Sequence, residues 1–155
     1  MAGILDSASF KFFLSNEIGV AMDNIQTMVL GGHGDTMVPL IGSTSISGIP
    51  LNEFIKVNNI KKNKIDQIIE RTRNGGGEIV ALMKNSSAFF SPAVSAIEML
   101  ESFFFDQRKI LPCSAFLDGE YGVKDLCVGV PVLIGSKGIE KIIELKLSTD
   151  EKKQF

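Results

Sequence analysis

Metal-ligating side chains are scarce in this chain, with one histidine, His33, and two cysteines, Cys113 and Cys127, among 155 residues. A structural zinc site needs several such groups at matched spacing, so no metal is expected, and two cysteines are too few for a disulfide scaffold. An excess of one charge is also lacking. The formal net charge is −2, with lysines and acids interspersed, which leaves no basic stripe for nucleic acid. No apolar run reaches the ~20 residues of a membrane span. The opening residues carry neither the basic region nor the cleavage site of a secretory signal. These absences point to a soluble protein of a reducing, cytoplasmic compartment. Apolar residues make up 45% of the chain and charged residues 22%, a globular balance, and the length suits one domain with a real core.

What is present centres on the histidine. An apolar run, Ile25 to Leu30, leads into Gly31-Gly32-His33-Gly34-Asp35-Thr36-Met37-Val38-Pro39. Glycines so placed mark backbone that turns sharply or comes close to another element. Histidine is the side chain whose ordinary pKa, about 6.5, lets it trade a proton near neutrality. Two readings follow from the pattern, a buried structural histidine and a general acid/base.

Around this turn the periodicity predicts an α+β chain. Helices are expected over Asp6–Ile18, with Leu5, Phe12, Phe13 and Ile18/Val20 as the apolar stripe, and over Leu51–Val57. A longer helix is expected over Lys64–Lys84, where Gly75-Gly76-Gly77 mark a kink or a tight approach. Pro92–Phe105 reads as another, with Ala93, Ala96, Ile97, Leu100 and Phe104 on one side. Strands are expected at Ile25–Leu30, Met37–Ile41, Thr44–Ile46, Ile110–Leu117, Cys127–Ile134 and Ile139–Leu147, the last three joined by short turns that favour antiparallel pairing. Both cysteines fall in strand-like runs and are expected to be inert buried thiols. Phe89, Phe90, Phe103, Phe104 and Phe105 are expected in the core or at a subunit interface. Ser148 and Glu151 form a capping-box pattern that announces a final helix only about one turn long, as though cut short.

Three motifs resemble the lactate/malate dehydrogenase family: Ile4-Leu5-Asp6-Ser7-Ala8, the histidine turn, and Gly129-Val130-Pro131-Val132-Leu133-Ile134-Gly135. Ser87-Ala88-Phe89-Phe90-Ser91-Pro92-Ala93 looks most like the malate branch, the malate dehydrogenases built like lactate dehydrogenase. The resemblance covers the whole chain and corresponds to the C-terminal, substrate-side domain. It implies an antiparallel sheet packed with long helices, and an enzyme interconverting (S)-malate and oxaloacetate with NAD. It also implies a homo-oligomer when complete. A catalytically inactive module serving folding or oligomerisation stands as the alternative.

By this resemblance His33 is the proton donor and acceptor, and Asp6 the carboxylate that orients it. Ser87 and Ala88 line the substrate pocket and Pro92 lies near the nicotinamide ring. From the residues alone, Ser87 to Pro92 read as a helix start with proline in the first turn. Two departures stand out. Where the family has an arginine that grips the substrate carboxylate through paired hydrogen bonds, this chain has Ser9. Three residues of helix is about 300°, so Ser9 shares the face of Asp6, while Lys11 lies about 140° round and cannot easily substitute. The second departure is the absence of any G-x-G-x-x-G following a strand pattern. The NAD-binding half, with the family's mobile loop, is therefore expected outside these residues. The isolated chain is expected to be inactive.

Overall fold

Helix α1 (Ala2–Ile18) opens the fold in this computed structural model, which describes residues 1–155. It begins four positions before the expected Asp6 and ends where Gly19 turns left-handed (φ 69°) and donates its N–H to the Ser15 carbonyl. The buried stripe is Ile4, Asp6, Ser7, Phe10, Phe13 and Leu14. Phe12, expected inside, is 46% exposed.

The apolar run after α1 divides in two, where one strand is expected. β1 (Ile25–Gln26) pairs with β4 (Ser45–Ile46), which pairs with β5 (Ile49–Pro50) in a small antiparallel sheet. β2 (Val29–Gly31) joins a different sheet. The division has a cause in hydrogen bonding. The Thr27 hydroxyl donates to the Ser7 carbonyl (2.8 Å) and the Val29 N–H donates to the Ser7 hydroxyl (3.0 Å), so the chain is pinned to α1 as it passes from one sheet to the other.

The larger sheet joins β2 to β3 (Met37–Pro39), β6 (Lys109–Asp118), β7 (Lys124–Gly135) and β8 (Gly138–Ile142) in the order β3-β2-β7-β6, with β8 also on β7, and all its pairings are antiparallel. Its frame is the long hairpin of β6 and β7. β2 and β3 form a short hairpin whose one register pair with β7 is Gly31–Gly129. β8 stops five residues short of the expected Leu147. The Tyr121 hydroxyl explains the stop, because it donates to the Ile143 carbonyl and accepts the Leu145 N–H, drawing the backbone off the sheet edge.

Helices α2 (Leu51–Val57) and α3 (Lys62–Met83) follow the small sheet. The glycine triplet does not interrupt α3. Nor is the triplet a tight approach: a Cβ on Gly75 would meet the Phe13 ring at an ordinary contact distance of 3.4 Å, and one on Gly76 or Gly77 would meet nothing within 4 Å. α4 (Phe90–Phe104) begins two residues before the expected Pro92. Its buried positions are Ser95 and Ser102, the latter donating to the Ile134 carbonyl at 2.8 Å. Small side chains on that face let the helix lie close against α1 and β7. The apolar face turns outward instead: Ala93, Ile97, Leu100 and Phe104 are exposed, as are Phe89, Phe90, Phe103 and Phe105, so none of these phenylalanines is core. Cys113 is buried, but Cys127 is exposed, opposite exposed Phe116, where the β6–β7 hairpin runs past its cover.

The last helix, α5 (Thr149–Gln154), has the expected capping box at Ser148 and Glu151. Two main apolar clusters result. Phe10, Phe13 and Leu14 of α1 belong to one, shared with the small sheet, α2 and α3. Ile4 of the same helix belongs to the other, formed on β6 and β7. Asp6 and Ser7 sit at the seam.

Candidate active site

The seam is where the site is built. Asp6 is 2% exposed, and both its carboxylate oxygens lie within reach of the His33 ring, at 3.0 and 3.1 Å from Nδ1. A carboxylate in that place holds the ring nitrogen as an N–H donor and fixes the tautomer that leaves Nε2 as the reactive atom. The His33 side chain is 60% exposed, so the far edge of the ring meets the outside while the near edge is anchored. Burial pushes the Asp6 carboxyl above its usual range. The hydrogen bond and charge of His33, and the charge of the N-terminus, oppose that shift without cancelling it.

Backbone geometry fixes the turn. Gly31 has φ 81°, and a Cβ on it would stand 2.8 Å from the Thr36 carbonyl. Its neighbour Gly32 has no room for one either, because the Thr36 hydroxyl fills the place. That hydroxyl donates to the His33 carbonyl (3.3 Å), and the Gly32 N–H donates to the Thr36 carbonyl (3.1 Å). On the sheet side, a Cβ on Gly129 would collide with the Gly31 carbonyl. Both glycines are required for the hairpin to lie against β7.

The other residues named from the sequence are not joined to this pair. Ser9 is half-buried and its hydroxyl donates to the Leu5 carbonyl one turn back, at 2.9 Å. It lines a cavity of about 620 Å³ between α1, α3 and α4, with Phe12, Arg71, Glu78 and Phe90 among its walls. Ser87 is exposed, Ala88 and Pro92 are half-buried, and Pro92 sits in the first turn of α4. None of these three lines the cavity, although Phe90 and Ser91 do. Asp35, beside the histidine in sequence, is exposed and has no ion-pair partner. Ser7 and Thr36, whose hydrogen bonds hold the elements that carry Asp6 and His33, are positions that sequence reasoning missed. The signal for both was adjacency, since each lies within three residues of a member of the pair.

Sequence and fold comparisons identify the family. The sequence profile described as the lactate/malate dehydrogenase alpha/beta C-terminal domain matches residues 4–155. The chain belongs to the lactate/malate dehydrogenase family. Among solved structures it is similar to Cryptosporidium parvum malate dehydrogenase, with 46% identity and a TM-score of 0.96 over 100% of this chain and 49% of that one. It is also similar to C. parvum lactate dehydrogenase solved with lactic acid and nicotinamide adenine dinucleotide, with 42% identity and a TM-score of 0.95 over 99% and 49%. Eimeria maxima lactate dehydrogenase, solved with NADH and oxamate, matches at 43% identity and 0.95 over 99% and 48%. The chain thus spans about half the length of these relatives. Its α+β architecture is that of the family's C-terminal domain, and no helix in it is long and apolar enough to cross a membrane.

Proposed function

We propose that this chain is the substrate-binding and acid/base domain of an NAD-dependent dehydrogenase that interconverts (S)-malate and oxaloacetate. The observation that carries the reading is the buried Asp6 carboxylate on Nδ1 of a single, outward-facing His33. Reducing a ketone needs a proton at the carbonyl oxygen as hydride reaches the carbon. Protonated at Nε2, His33 polarises that oxygen and supplies the proton, while Asp6 stabilises the imidazolium through the Nδ1–H bond. In the oxidative direction the same nitrogen takes the hydroxyl proton.

NAD is the hydride carrier in this proposal, but the residues present do not fit a cradle for it. Every strand pairing is antiparallel and no G-x-G-x-x-G leads from a strand into an α-helix, so the steps derived from this chain stop at the proton. The assigned partner is an NAD-binding half of the kind the relatives' additional length allows, with a homo-oligomer as the complete enzyme. The outward apolar face of α4 supports both. Two free cysteines suit a reducing, cytoplasmic setting. Similarity of the Ser87–Ala93 segment to the malate branch supports malate over lactate as substrate. Ser87 and Ala88 are assigned to the pocket wall and Pro92 to the nicotinamide side.

Ser9 favours a second reading, an inactive module. Its hydroxyl is already committed to Leu5, and it brings no positive charge to a substrate carboxylate. Fusing the NAD-binding half of C. parvum malate dehydrogenase ahead of Met1, and assaying NADH oxidation with oxaloacetate and with pyruvate, separates the readings. Ser9→Arg should gain ~2–5 kcal/mol of carboxylate binding, at least about thirtyfold in kcat/KM, and His33→Asn should remove the activity. A Ser9→Arg fusion that folds but turns over neither ketone would sink the enzymatic reading, and a preference for pyruvate would sink the malate assignment.

A further inference from the structure

Arg73 on α3 has no place in the proton chemistry, yet its side chain is only 23% exposed. Nη2 donates to two acceptors on different elements, the Met37 carbonyl at 3.4 Å and Oε1 of Gln154 on α5 at 3.1 Å. Nη1 lies 3.7 Å from the Glu70 carboxylate, and the buried Nε–H has no partner. Desolvating a charged fork this far is unfavourable unless hydrogen bonds and a counter-charge offset it, so its contacts are specific ones.

What they hold is the end of the histidine turn. Met37 closes the Gly34–Thr36 turn by donating its N–H to the Gly34 carbonyl, and it opens β3 opposite Gly31. The turn's other bonds, Thr36 to His33 and Gly32 to Thr36, lie within the hairpin. Arg73 supplies a side-chain hydrogen bond to that hairpin from elsewhere in the chain. Its far side rests on α5, which is itself tied down where the Phe155 ring packs on Tyr121 with centroids 5.0 Å apart.

We propose that Arg73 is a positioning residue for His33. It bridges the Met37 carbonyl and Gln154, so that the C-terminal helix braces the turn from behind and keeps Nδ1 seated on Asp6. The inference rests on the reading of His33 as the acid/base, but it is tested without turnover, so the two can fail separately. The planar fork is needed because one nitrogen must serve two acceptors in fixed directions. Lysine keeps the charge without that geometry.

Because His33 is the only histidine, its ring nitrogens and protons give one set of NMR signals in the ¹⁵N-labelled 155-residue chain. The readout is the solvent exchange rate of the Nδ1–H, together with the ¹⁵N shifts that report the tautomer. Arg73→Ala should speed that exchange by about tenfold, the loss of a hydrogen bond to a charged donor, and Arg73→Lys should restore only part of it. Gln154→Ala, which leaves Arg73 in place but unbraced, should give a smaller acceleration in the same direction. Arg71→Ala removes a cation from the exposed side of the same helix and should leave the rate unchanged. If Arg73→Ala fails to fold, the Gln154→Ala result decides. Exchange within twofold of the parent in whichever of the two variants folds, or an equal change in Arg71→Ala, would overturn the proposal.

Discussion

Replacing Asp6 by Asn separates what the buried carboxylate does for chemistry from what it does to stability. Asparagine keeps the shape and can still accept the His33 Nδ1–H, but it carries no charge. Burial raises the Asp6 pKa above its ordinary value of 3.8, and the opposing pull of His33 does not restore it. The folded chain therefore binds more protons than the unfolded one between 3.8 and the raised folded value. Across that window the parent loses stability as pH rises, with a limiting slope of about 1.4 kcal/mol per pH unit for one group. Above it, the full penalty of burying the anion remains. The Asn variant has no such titration, so its stability relative to the parent should climb through the window and then stay level. For a chain of this size, the slope corresponds to at most about 3–6 °C of relative Tm per pH unit. Thermal melts of both proteins from pH 3 to pH 7, followed by circular dichroism, measure it. A Tm difference that is flat, or that moves against the variant as pH rises, would refute the reasoning. In the fusion enzyme the same substitution should lower kcat by about 10²–10⁴, since a neutral amide can donate its NH2 to Nδ1 as readily as accept from it, and so favours the wrong tautomer and does not stabilise the imidazolium.

Two further outcomes follow from the geometry. Ser7→Ala leaves the buried Val29 N–H without its acceptor and should cost about 1–3 kcal/mol, read as a lower Tm. An unchanged Tm would mean that the serine does not pin α1 to β2. A thiol reagent on the native chain should modify exposed Cys127 and spare Cys113, which is buried and whose thiol pKa is raised by that burial. Mass spectrometry of the peptides reads this, and equal labelling would show that the β6–β7 packing is looser than described.

The pairing of Asp6 with His33 was legible through the family resemblance, since a carboxylate in the first turn of a helix is ordinary and the glycine-flanked histidine alone left two readings open. The strand frame was legible as well, because Ile110 to Leu117 and Cys127 to Ile134 are β-rich runs joined by turn residues. Periodicity did not reveal the division of Ile25–Leu30, which depends on bonds from Ser7 on another element. Nor did it show which way α4 faces. An apolar stripe has the same spacing whether it meets its own core or something outside, and the packed face proved to be the one with Ser95 and Ser102. Cys127 was misplaced for a related reason. Strand character says nothing of where a long hairpin outruns the helices that cover it. Arg73 carried no sequence signal, because its role arises from Met37 and Gln154 meeting across the fold.

Helix α1 contributes to both apolar clusters, with Ile4 in one and Phe10, Phe13 and Leu14 in the other. Asp6 and Ser7 ride on the span between them. A substitution that resizes either cluster must be absorbed somewhere, and a rigid helix passes it on as a shift along its own axis. The two cores cannot drift independently over evolutionary time, because their mismatch would be recorded as a change in the reach from Asp6 to His33. A library of core variants in this domain should therefore show paired compensation across the helix, with survivors matching a gain of volume at one end to a change at the other.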